Sequence, residues 1–161
     1  MRPHRALLAL AIVALSASCS SSTDASPAGN IVGTWVADSA ASPPGSYVRR
    51  LTFTQEGTFV LDFQSHGLYE NQQADDLSGY ERTTGIFTVN GDRVSFEPSQ
   101  LVVWDYSFGR DAQPTVYAPY PYDHFYDDAH FHVEDDALTL DFTTYPADAP
   151  EPARQIFRRD S

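Results

Sequence analysis

The chain has 161 residues, 42% of them hydrophobic and 13% aromatic, with ten basic residues against 22 acidic ones and a formal net charge of −12. That length suits one domain, and the acid excess excludes a nucleic-acid-binding surface, which needs a basic face to neutralise phosphates. With ten Phe and nine Tyr the chain can fill a core and does not have the composition of a disordered protein.

Arg2, His4 and Arg5 precede an unbroken apolar run from Ala6 to Leu15. A charged start followed by an apolar stretch too short to cross a bilayer about 30 Å thick is the pattern of an export signal. The run passes through Leu15-Ser16-Ala17-Ser18 into Cys19, the single cysteine of the chain. This placement resembles the lipobox of bacterial lipoproteins. The resemblance implies cleavage after residue 18, acylation of the Cys19 thiol and new amino group with palmitate-type chains, and anchoring to the cell membrane or outer membrane of a bacterium. Ser20, where an Asp would retain the protein, is compatible with sorting to an outer membrane. The alternative is ordinary secretory cleavage near Ala17, with Cys19 left free or in an intermolecular disulfide.

Removing residues 1–18 takes away Arg2 and Arg5, so eight arginines face the same 22 acids and the net charge becomes −14. Anionic head groups repel such a surface, and the acyl chains would have to hold it at the membrane. Residues 19–29 carry no large apolar side chain and read as a flexible tether. The folded domain is expected over residues 30–161.

From Asn30 onward the apolar period is two, and turn residues recur every eight to twelve positions, as in an antiparallel sandwich or barrel. Ile31 to Val36 is the first expected strand, followed by Val48 to Thr54. Thr58 to Gln64 places Phe59, Leu61 and Phe63 on one face. Asn90-Gly91-Asp92 is a hairpin turn joining Gly85–Val89 to Arg93–Glu97, because Asn-Gly tolerates positive φ. Phe131 and Val133 alternate with His130, His132 and Glu134, Asp135-Asp136 turns the chain, and Leu138, Leu140 and Phe142 form the next stripe. Arg154 to Arg159 closes the sheet. No helical stripe occurs after the signal, so the fold is expected to be all-β with eight or nine antiparallel strands. A barrel is preferred to a sandwich because closure removes the exposed edges. Ser65–Ser78 and the proline-interrupted Ser107–Asp128 read as long loops.

Gly33-Thr34-Trp35 opens the first strand and Ile156-Phe157-Arg158-Arg159 ends the chain's last run. Together they resemble the lipocalin-like (calycin-type) exported proteins of bacteria. The resemblance implies an eight-stranded barrel in which Gly33 and Trp35 form the first-strand motif. It also implies that either Arg158 or Arg159 stacks on the indole at the closed end.

The sharpest polar cluster runs from Tyr120 to His132. His130 and His132 project from one strand face, and with His124 and Asp127 they have ligand types that zinc or copper accepts. Because Phe131 and Val133 claim the core side, a solvated histidine face outweighs the metal reading. No Gly-x-Ser-x-Gly elbow, triad or phosphate loop is present, so neither catalysis nor a cofactor is expected. The aromatic residues suggest a ligand pocket at the barrel mouth lined by Phe59, Phe63, Trp104, Tyr117, Tyr120 and Tyr122. The expected function is non-catalytic binding of a small apolar or amphipathic molecule, or of a cell-envelope partner. The alternative is an interaction module whose barrel is filled by its own side chains.

Overall fold

The computed structural model describes residues 30–40, 45–107, 113–146 and 149–160. The expected export signal and tether, with Cys19, lie outside the described residues. Among the described residues nine strands follow one another: β1 (Gly33–Ala40), β2 (Ser46–Phe53), β3 (Thr58–His66), β4 (Leu77–Asn90), β5 (Arg93–Asp105), β6 (Thr115–Tyr117), β7 (Asp127–Glu134), β8 (Ala137–Thr144) and β9 (Glu151–Arg159). Eight of them close into one antiparallel barrel, β1-β2-β3-β4-β5-β7-β8-β9 and back to β1, while β6 adds to β5 as an extra strand.

Strand direction separates the two ends of the barrel. Tight turns at Thr54–Gly57, Gly91–Asp92 and Asp135–Asp136 lie at the end where β1 begins and β9 finishes. The connections from β3 to β4 and from β5 to β7 lie at the opposite, open end. Alternation sends every second side chain inward. Trp35, Leu51, Phe53, Phe59, Leu138, Leu140 and Phe157 are thereby almost wholly removed from water.

β4 and β5 extend well beyond the Gly85–Val89 and Arg93–Glu97 hairpin expected from the sequence, and the Asn90-Gly91-Asp92 turn joins them as anticipated. Their ladder survives its proline through a bulge, where Gly85 faces Pro98 and Thr84 faces Gln100. A Cβ on Gly85 would lie 2.3 Å from the Glu97 carbonyl, so only glycine permits the approach. The first long loop shrinks to residues 67–76, tied by Gly67 N donating to Asp76 O at 2.9 Å. The second expected loop contains β6 and the start of β7. β7 meets β5 only at Arg93↔His130, while β6 takes the β5 edge at Leu101–Val103 nearer the open end.

Candidate functional site

At the closed end the Trp35 indole donates from Nε1 to the Ile31 carbonyl at 2.8 Å. The Arg159 guanidinium lies 4.1 Å over the ring centre and donates to the Val32 and Asn30 carbonyls at 3.3 and 3.4 Å. Of the two arginines left open by the sequence, Arg159 is the one on the indole; Arg158 pairs in register with Val36 and Ala137 on the outer face. Gly33 stands at φ 134°, and a Cβ there would come within 2.7 Å of Arg159 Nη1. These groups seal one end of the barrel.

The open end is built differently. Pairing aligns Arg49 on β2 with Phe63 on β3, Phe63 with Glu81 on β4, and Glu81 with Val103 on β5. All four share the inward parity of Leu51, Leu61, Thr83 and Leu101 one step further down. The Arg49 guanidinium lies 4.9 Å over the Phe63 ring, and Tyr47 stacks on that ring at 5.4 Å. Arg49 and Glu81 form no ion pair with each other, and among the described residues neither has another ion-pair partner. Partial desolvation pushes the Glu81 carboxyl above its usual range, although the residue as a whole is exposed, while the Arg49 charge pulls it back. Burial also pushes the Tyr120 and Tyr126 hydroxyls up to about 12, Glu81 adding to the rise at Tyr120 and Arg49 opposing it at Tyr126. A pocket of about 180 Å³ opens between Phe63, Ser65, Glu81, Val103 and Asp105.

Beneath this level the lumen is occupied. Phe125 stacks on Phe59 at 5.4 Å and meets Phe96 edge-on at 5.6 Å. Tyr126 packs on Phe96 at 5.5 Å and on Phe142 at 4.5 Å. The chain therefore dips into its own barrel just before β7. His124 fastens the dip at the surface, stacking on Tyr145 at 3.7 Å with its Nδ1 2.5 Å from Asp127 Oδ2. Tyr126 and Asp128 take positive φ of 50° at this corner, where the register of β7 on β8 shifts.

The six residues expected to line one mouth pocket are dispersed. Phe59 is 1% exposed and belongs to the core, because Phe125 covers it. Phe63 and Trp104 border the same pocket, but Trp104 is paired in register with Tyr80 and its ring packs on that outer-face tyrosine at 4.9 Å. Tyr80 in turn donates to Asp62 Oδ1 at 2.5 Å, beside the Arg82–Asp62 ion pair, and its hydroxyl is pushed up to about 12 by burial and by Asp62. Tyr120 packs on Phe125 at 5.7 Å and on Tyr122 at 5.5 Å, while Tyr117 and Tyr122 are exposed.

The candidate metal ligands do not converge either. His124 is taken by Asp127, His130 Nδ1 lies 3.0 Å from Asp92 Oδ2, and His132 faces Glu134 at 3.8 Å. Among the described residues no group of three or more His, Cys, Asp or Glu side chains can hold a metal ion.

Sequence reasoning missed Arg49 and Glu81. The signal was present, since Arg49 stands two residues before Leu51 and four before Phe53 on one strand face, and Glu81 two before Thr83. Charged residues with core parity at one end of a strand belong to an open barrel mouth. Compared with known proteins, the chain matches no family model and no curated protein sequence.

Proposed function

We propose that the chain is an exported, lipid-anchored, lipocalin-like barrel that binds a small amphipathic molecule at its open end without catalysis. The observation that carries this reading is the asymmetry of the barrel. One end is sealed by Trp35 and Arg159, while the other holds Arg49 and the solvent-exposed Glu81, two charges of inward parity beside the Phe63 ring that have no ion-pair partner among the described residues. A charge partly withdrawn from water, as Arg49 is, gains from a partner that neutralises it. A ligand with a polar head and an apolar body supplies that partner. The pocket at this level is small, so a compact ligand suits it better than a long acyl chain. Membership of the lipocalin-like exported proteins rests on Gly33, Trp35 and the terminal arginines, and anchoring rests on Cys19.

The test is native mass spectrometry of the full chain in detergent, with titration of the fluorescent apolar probe N-phenylnaphthylamine. An adduct, or probe emission lost in Arg49→Gln, supports the reading; no adduct and no probe binding refute it. Acyl mass on a Cys19 peptide, absent in Cys19→Ala, tests the anchor.

Phe125 and Tyr126 favour a second reading, in which the barrel serves as an interaction module filled by its own side chains. The same titration separates the two, since a self-filled barrel binds no probe.

A further inference from the structure

Resting on the open-end reading above, we propose that this site takes a dipolar ligand: a small zwitterion whose carboxylate meets Arg49, whose ammonium meets Glu81 and whose apolar body lies against Phe63. Arg49 and Glu81 flank Phe63 in one cross-strand row, so their backbones stand two strand spacings, about 10 Å, apart. Long side chains span that gap easily, yet Arg49 folds over the ring and no ion pair closes. The row therefore presents a positive end, an apolar middle and a negative end.

Electrostatic complementarity selects the ligand class. A simple anion would be drawn to Arg49 and repelled by Glu81, and a simple cation would meet the opposite mismatch. A molecule with both charges close together satisfies both groups. Two tyrosines and a second carboxylate stand around the row. Tyr120 and Tyr126, from the segment that dips into the barrel, remain neutral hydroxyls at pH 7. Asp105 on β5 lines the same pocket one step nearer solvent, where it accepts from Ser107 N at 2.8 Å; it adds to the negative end of the row and leaves Arg49 as the positive one. The pocket beside Phe63 and Glu81, about 180 Å³, suits a ligand of amino-acid size.

The test compares three probes with one shared body: phenylalanine, 3-phenylpropanoate and phenethylamine, titrated by calorimetry into the full chain in detergent at pH 7. Phenylalanine is expected to bind about tenfold more tightly than either singly charged probe, the effect of one charge-assisted contact. Arg49→Gln should bring phenylalanine down to the level of phenethylamine, and Glu81→Gln should bring it down to that of 3-phenylpropanoate. Equal or tighter binding of a singly charged probe overturns the proposal, and this comparison needs only the unaltered chain. If N-phenylnaphthylamine binds in an Arg49-dependent way while phenylalanine does not, the dipolar class is wrong and the open-end reading survives. If none of the four binds, both fall.

Discussion

Replacing Trp35 by Phe tests the closed end of the barrel with an aromatic ring left in place. Trp35 is fully buried, and losing the five-membered ring removes roughly 40 Å² of apolar surface from the core, about 1 kcal/mol at ~25 cal/mol per Å². The Ile31 carbonyl, which accepts from Nε1 at 2.8 Å and belongs to a residue that is 0% exposed, loses its donor. A buried acceptor left unpaired costs about 1–3 kcal/mol. The smaller ring also holds the Arg159 guanidinium less well, a minor effect of about 0.5 kcal/mol because Arg159 faces solvent on its other side. The sum is about 2.5–4.5 kcal/mol, a large share of the stability of a domain this size. Urea unfolding followed by far-UV circular dichroism should move to a lower midpoint with an unchanged slope. Arg159→Met should cost less in the Trp35→Phe background than alone, since the two changes share one contact. A loss below about 0.5 kcal/mol, or full additivity of the pair, would refute the account of how this end is sealed.

Gly33→Ala is expected to cost about 1–3 kcal/mol in the same urea assay, from the positive φ and from displacement of Arg159. In that background Arg159→Met should cost almost nothing further. The alkaline limit follows from Tyr80, Tyr120 and Tyr126, whose hydroxyls hold their protons to about 12 when folded against 10.0 unfolded. The folded state binds the protons more tightly, so this stabilisation is complete below pH 10.0 and is lost as pH rises toward about 12. Urea midpoints measured across that window should fall; a flat profile contradicts the burial assigned to these rings. Asp62→Asn removes the negative charge that, with burial, raises Tyr80, and ultraviolet titration should then detect one tyrosine ionising closer to 10.0. Phe125→Ala empties part of the lumen above Phe59 and should destabilise the barrel by about 2–4 kcal/mol. It should also raise N-phenylnaphthylamine emission, and unchanged emission would mean that the lumen collapses on the missing ring.

The all-β architecture was legible because one-sided strands such as Phe59-Leu61-Phe63 and Leu138-Leu140-Phe142 alternate with period two, and because Asn90-Gly91 has the chemistry of its turn. Closure into a barrel followed from the need to remove sheet edges. The upper halves of β4 and β5 were not legible as strands. Tyr80-Glu81-Arg82 and Trp104-Asp105 line or border an open mouth, where inward positions are polar and the alternation fades. The histidine face was readable from its alternation with Phe131 and Val133.

Sequence by itself determined the strand periodicity, the turns, the acidic surface and the inward side of each stripe, because these depend on neighbours a few residues apart. Only the tertiary structure decided what fills the barrel. Phe59 and Phe125 are 66 positions apart, and no local pattern says that one covers the other. The same holds for Arg49 and Glu81, whose meeting across Phe63 depends on the register of three strands. A one-residue slip in either pairing would turn one charge outward and abolish the site.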